Sequence, residues 1–337
     1  MDLNCFYYTD DKKIFTNKIG ALEYKQATGQ SLYFYYYDHV YDKIDWSIEP
    51  PESLEFYYKH QAQRIRDEYD YVVLFYSGGY DSTNILETFH FNNIKLDKVV
   101  CVGAFKQDSF SGSDENHNGE IYNNCFPYLV ELGLENITQI CDYTDYFNDV
   151  KNFCVYEYGE QWIENVGPWY SPHNWFWKDI HKYVIPEEME GKKVAMIWGK
   201  DKPEVSNVNN KIFFRFKDVA SLSYGGEVKV DNIDRINFYW DPNYPLIPIK
   251  QAHVLMNSNM ITRPNSVYNL RKPLLFKSKK SPSNLISLRD NFLRQKTDNT
   301  IFDFYKEGMK TLLNRIDPNE VKCIRSRFYV IKDGNKK

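Results

Sequence analysis

The chain has 337 residues, enough for one large domain or two ordinary ones with a sizeable core. Hydrophobic residues make up 42% and charged residues 26%, as in an average globular protein, and a formal net charge of −4 gives no general argument for a nucleic-acid or membrane partner. No apolar run approaches the roughly 20 residues of a membrane-spanning helix. The start, MDLNCFYYTDDKK, lacks the basic opening and apolar centre of a signal peptide, so the expected location is cytoplasmic.

Residues 1–70 read as an N-terminal extension. A Tyr-rich stretch, SLYFYYYDHVYDKI, precedes PPESLEFYYKHQAQRIRDEYD, whose apolar residues recur at helical spacing behind Pro50 and Pro51. YVVLFY at 71–76 follows, with five of six residues aromatic or β-branched, and reads as a strand. It stops at Ser77-Gly78-Gly79. A helix is expected over 82–92, with Ile85, Leu86 and Phe89 on one face. KLDKVVCVGAF places a second strand near 98–105, and the polar KQDSFSGSDENHNG is an exposed loop. EIYNNCFPYLVELGL reads as a helix stopped by Gly133, and ITQICDY as a third strand. Helices are expected at 146–156 and 174–184, and KKVAMIWG at 192–199 is a fourth strand ending in glycine.

Strands alternating with helices predict an α/β fold, a parallel doubly wound sheet with helices on both faces. Beyond 205 the pattern changes. NKIFFRFKD and INFYWDP are strand-like around a SYGGE turn, which predicts a small antiparallel unit. Helices are expected at 249–260, 285–294 and 301–316, and the tail KCIRSRFYVIKDGNKK holds a basic-aromatic strand. The division is an extension (1–70), an α/β domain (71–205) and a smaller C-terminal α+β region (206–337).

The chemistry concentrates where the first strand of the α/β domain ends, in Ser77-Gly78-Gly79-Tyr80-Asp81-Ser82. Ligands of open α/β sheets sit beyond the carboxyl ends of the strands. Glycines let backbone N–H groups approach a phosphate, and a helix N-terminus adds favourable partial charge. Ser77 and Ser82 add hydroxyls. Asp81 repels a phosphate unless it holds a cation such as Mg²⁺ against it. Neither GxxxxGK[ST] nor GxGxxG is present.

SGGYDS after an apolar strand resembles the PP-loop of the N-type ATP pyrophosphatases, the superfamily of asparagine synthetase, GMP synthetase, NAD synthetase, argininosuccinate synthetase and tRNA-lysidine synthetase. The resemblance covers residues 70–205 and implies an adenine nucleotide alpha hydrolase-like fold that binds ATP and Mg²⁺. It also implies AMP- and pyrophosphate-forming ligase chemistry: a carboxylate or carbonyl oxygen takes the AMP, and a nitrogen nucleophile then displaces it. Under it, Ser77, Gly78, Gly79, Asp81 and Ser82 cradle the β- and γ-phosphates, and Asp81 and Asp201 organise Mg²⁺. The fourth strand runs into Gly199-Lys200-Asp201-Lys202. Asparagine synthetase-like proteins carry a similar G-x-D-K segment, which makes Lys202 the contact to the leaving pyrophosphate and Lys200 the alternative. Adenine is expected near 102–105, with Tyr80 and Phe105 flanking its ring.

Only 76 residues precede Ser77, too few for a glutaminase domain, so the expected nitrogen source is ammonia, a partner subunit or the substrate. Cys5, Cys101, Cys125, Cys141, Cys154 and Cys323 form no CxxC pair, which disfavours a zinc site and sulfur transfer. Such cysteines are ordinarily buried and inert. Tyr239, Trp240, Asp241, Lys250 and His253 are candidates for substrate contacts, weighed against ordinary packing. Arg325, Arg327 and Lys332 alternate on a tail strand that faces nucleic acid, substrate phosphate or solvent. The rival readings are a nucleic-acid-modifying enzyme of the same chemistry and a non-catalytic nucleotide-binding protein. A homo-oligomer is compatible with the aromatic surplus of 28 Tyr, 22 Phe and 7 Trp.

Overall fold

The N-terminal extension forms a small sheet, to which its Tyr-rich stretch contributes one strand. In the computed structural model, which describes residues 5–15, 18–103, 121–142, 180–199, 204–209, 211–218, 230–257, 267–268 and 324–333, β1 (Cys5–Thr9) pairs antiparallel with β2 (Ile14–Phe15) and β3 (Leu32–Tyr36). Tyr7, Phe34 and Tyr36 point into the core. On the opposite face Phe6 stacks on Tyr35 at 4.3 Å between centroids, and Tyr8 on Tyr33 at 5.4 Å. Helices α1 (Lys18–Thr28) and α2 (Asp38–Tyr41) flank β3 in the chain. Helix α3 (Leu54–Glu68) starts where Ser53 accepts a hydrogen bond from the Phe56 N–H at 3.1 Å.

The central sheet has five strands, all parallel: β4 (Tyr71–Phe75), β5 (Lys98–Gly103), β6 (Thr138–Asp142), β7 (Val194–Trp198) and β10 (Ile233–Asn237), ordered β10-β7-β4-β5-β6. β4 and β7 are buried almost end to end, as parallel strands covered on both faces must be. Val72, Leu74 and Ile197 face the side packed by α3, α4 (Tyr80–Phe91) and α7 (Leu246–Asn257). Val73, Val100 and Met196 face the other side, with Ile180 and Val184 of the short α6 (His181–Val184) and its flank. The chain is therefore an α/β protein with helices on both faces of a parallel sheet.

Several expectations change in detail. The helix expected over 82–92 begins two residues earlier, at Tyr80, because Gly79 is the cap. The helix expected from 120 and stopped by Gly133 is a π turn at Ile121–Cys125 followed by α5 (Phe126–Glu131), with Pro127 near its start; proline lacks the N–H that would carry a helix through. The antiparallel unit is built differently. β8 (Glu204–Val208) and β9 (Lys211–Arg215) pair with each other, while β11 (Val267–Tyr268) and β12 (Tyr329–Asp333) add outer strands. INFYWDP does not belong to it: Ile236 and Asn237 end β10, whose Ile236 and Ile233 pack on opposite faces of the parallel sheet. The helices expected at 146–156, 285–294 and 301–316 lie outside the described residues.

One buried cluster joins all three stretches of the chain, including Tyr7 and Tyr36, Leu74 and Phe89, and Phe214, Trp240 and Tyr329. Much of the aromatic surplus is spent here. The buried phenols keep partners: Tyr36 and Tyr41 both donate to the Trp240 carbonyl, at 2.7 and 3.2 Å. Among the described residues no helix is long and apolar enough to cross a membrane.

Candidate active site

Counted along the chain, the strands of the parallel sheet stand in the order 3-2-1-4-5, so the order reverses between β4 and β7. A crevice opens at such a reversal, because the connections leave the two strands toward opposite faces. Phe75 and Trp198, register partners at the ends of β4 and β7, stack at 4.5 Å and 5°. The SGGYDS loop leaves β4 at this point.

The loop is built around Ser82. Its Oγ donates to the Gly79 carbonyl at 3.1 Å, accepts from the Ser77 N–H at 3.3 Å, and lies 3.2 Å from Ser77 Oγ. Ser77 Oγ also accepts from the Gly79 N–H at 3.3 Å. Ser77 is exposed and Ser82 buried, so a ring of hydroxyls and amides lines the bend with one open side. Gly78 has φ +75°, and a Cβ there would lie 3.0 Å from the Cys125 backbone nitrogen. That position requires glycine on both counts. Gly79 is extended and gives helix α4 no side-chain cap. The Thr83 N–H donates to the Gly79 carbonyl at 2.9 Å, which closes the first turn of α4. A helix N-terminus without a side-chain cap is a place where anions are favoured.

Two distant segments fix this first turn. A Cβ on Gly199, the residue after β7, would lie 2.9 Å from both the Asp81 carbonyl carbon and the Ser82 nitrogen. The exit of β7 therefore rests directly on the loop's helix. Tyr239, buried just beyond β10, donates to the Asp81 carbonyl at 2.8 Å and accepts from Asn84 Nδ2 at 2.9 Å. Burial, then the Asp81 charge, raises the Tyr239 hydroxyl well above its ordinary pKa, so it stays a neutral donor. The structure thus brings Ser77, Gly78, Gly79, Tyr80, Asp81 and Ser82 together on one bend, with Asp81 and Tyr80 half-buried at its rim. Lys200, Asp201, Lys202 and Phe105 lie outside the described residues.

The other candidates are placed differently. Lys250 Nζ bonds Glu49 at 2.7 Å and the Pro50 carbonyl at 2.9 Å, and His253 Nε2 lies 2.9 Å from the Trp46 carbonyl. Both pin α7 to the segment before α3, which is the packing role weighed against substrate binding. Asp241 is buried and accepts from Gln61 and Arg64 of α3. Trp240 is fully buried. On the tail, Arg325 pairs with buried Glu204 at 2.7 Å, and Arg327 with Asp38 and Asp42. Of the three basic residues, Lys332 is exposed, while Arg325 and Arg327 carry these acidic partners.

Sequence reasoning did not anticipate Asn84 and Cys125 as neighbours of the loop, or the contact of Tyr239 with Asp81. Asn84 follows Asp81 by three residues and shares its helix face, a readable signal. Tyr239 and Cys125 carry no local signal. Comparison with protein-family models, curated proteins and solved structures found no match to this chain.

Proposed function

We propose that the chain is a PP-loop ATP pyrophosphatase of the adenine nucleotide alpha hydrolase-like class, which transfers AMP to a carboxylate or carbonyl oxygen for displacement by a nitrogen nucleophile. The observation that carries this reading is the uncapped N-terminus of α4, ringed by Ser77 and Ser82 at the strand-order reversal. The first-turn amides of α4 and the two hydroxyls would hold the β- and γ-phosphates, the hydroxyls exchanging their mutual contact for phosphate oxygens.

Asp81 fits a role toward Mg²⁺. Among the described residues no cluster of three or more His, Cys, Asp or Glu could hold a metal alone. A single carboxylate is nevertheless a sufficient protein contribution where phosphates and water complete the octahedron. Bound there, the ion would neutralise phosphate charge. Lys202, close in sequence after Gly199, would offset the charge of the departing pyrophosphate. Catalysis of this kind is positioning and electrostatics, and the rigid seating of α4 on Gly199 and Tyr239 supports both.

The test is incubation with α-labelled ATP, Mg²⁺ and pooled carboxylic acids and amines. Labelled AMP and an amide product are expected, and Asp81→Asn should abolish both while leaving the folded fraction unchanged. Release of labelled ADP alone overturns the reading.

A further inference from the structure

Directly behind the phosphate loop two thiols meet. Cys101 of β5 and Cys125 at the end of the π turn lie 24 residues apart in sequence, and their sulfurs are 3.1 Å apart in the core. Cys125 Sγ also lies 3.9 Å from the Tyr76 carbonyl, and the backbone of Cys125 is what a Cβ on Gly78 would strike. Gly78 adjoins exposed Ser77 in the chain, so the sulfur pair sits one layer of backbone behind the crevice. Nothing in the nucleotide reading uses these thiols.

We propose that Cys101 and Cys125 are a redox modification site, which hydrogen peroxide converts to a disulfide that displaces the phosphate loop. One thiolate attacks a peroxide oxygen and becomes a sulfenic acid, releasing hydroxide that takes up a proton to form water. The second thiol then attacks the sulfenic sulfur, expels a second water, and closes the S–S bond. Two thiols and one peroxide give one disulfide and two waters. The sulfurs close from 3.1 Å to about 2.05 Å. Cys101 lies on β5, paired with β4 on one side and β6 on the other, so Cys125 makes the movement. Gly78 packs closely against Cys125, so a shift of Cys125 changes the support beneath the loop. Nucleotide binding would then be lower in the oxidised state and restored by a dithiol reductant. This consequence rests on the nucleotide reading, whereas the disulfide does not.

The experiment treats the whole chain with hydrogen peroxide, alkylates remaining thiols, and maps peptides without reduction. A Cys101–Cys125 linked peptide is expected, absent from Cys101→Ala and Cys125→Ala and retained in Cys5→Ser. Hydrogen exchange of the peptide spanning 77–82 should rise at least about threefold on oxidation and return on reduction. Finding both cysteines still alkylatable after peroxide, or linked to other cysteines, overturns the site, and unchanged exchange at 77–82 overturns its effect on the loop. ATP is then titrated into both forms, with about tenfold weaker binding expected when oxidised. If ATP binds neither form while the linkage and exchange change appear, the redox site stands and the nucleotide reading falls.

Discussion

Replacing Gly78 by alanine isolates the packing that shapes the SGGYDS loop. Alanine at φ +75° costs about 1–2 kcal/mol, because its Cβ crowds the following carbonyl. The new Cβ would also lie 3.0 Å from the Cys125 nitrogen, 3.1 Å from its Cβ and 3.2 Å from its Cα. None of these is the tip of a flexible side chain, so relief needs backbone movement, an overpacking cost of about 1–3 kcal/mol. The expected loss is therefore about 2–5 kcal/mol. Gly133 supplies the control: its φ is +66° and nothing lies within 4 Å of a Cβ built there. Gly133→Ala should lose only the conformational part, about 1–2 kcal/mol. Urea denaturation of both variants under one buffer, read from the midpoints at a common slope, gives the difference directly. Equal losses would refute the claim that the loop is seated on Cys125.

Tyr239→Phe removes one hydrogen bond to the Asp81 carbonyl and one from Asn84, and should cost about 1–3 kcal/mol in urea denaturation; a loss below about 0.5 kcal/mol would contradict the bracing role. Burial raises the Asp97 carboxyl, but hydrogen bonds from Lys95, Arg66 and the Val72 N–H outweigh it and leave the group below the usual aspartate value. A depressed carboxyl contributes stability above its unfolded pKa, lost as pH falls through the folded one, so the Asp97 contribution should decline progressively from about pH 4 downward. Urea midpoints taken down that pH range should fall less steeply in Asp97→Asn than in the parent; parallel curves would exclude this linkage.

Contiguous secondary structure was readable from the chain. The parallel strands of 71–199 are short apolar runs bounded by turn residues, and the intervening helix keeps its apolar period, so type and order follow from local pattern. SGGYDS is likewise six consecutive residues, and the structure places them on the bend between β4 and α4 that the local pattern predicts. The outer strands were less legible. In β10, IDRIN, only Ile233 and Ile236 are apolar, so nothing in the pattern distinguishes a parallel edge strand from one arm of a hairpin. What decides is long-range pairing with β7, which no window of ten residues contains. The Tyr-rich stretch had the opposite difficulty. Every residue of LYFYY is apolar or aromatic, and only the structure separates core-facing Phe34 and Tyr36 from outer-face Tyr33 and Tyr35.

The surroundings of the loop explain why a motif can be found in sequence while its support cannot. Four segments meet at the first turn of α4: the loop itself, Cys125 beneath Gly78, Gly199 against Asp81 and Ser82, and Tyr239 on the Asp81 carbonyl. Gly199 and Tyr239 are brought there by strand order. β7 lies beside β4 although two strands intervene in the chain, and β10 lies beside β7, so the residues that follow those strands arrive at the same end of the sheet. The residue types required are unremarkable on their own: a glycine where two backbones touch, a tyrosine where a carbonyl needs a donor. Their function is set by the neighbour and not by the residue. An alteration at Gly199 or Tyr239 should therefore act on the loop from outside the motif, through the seating of α4, and leave SGGYDS itself intact.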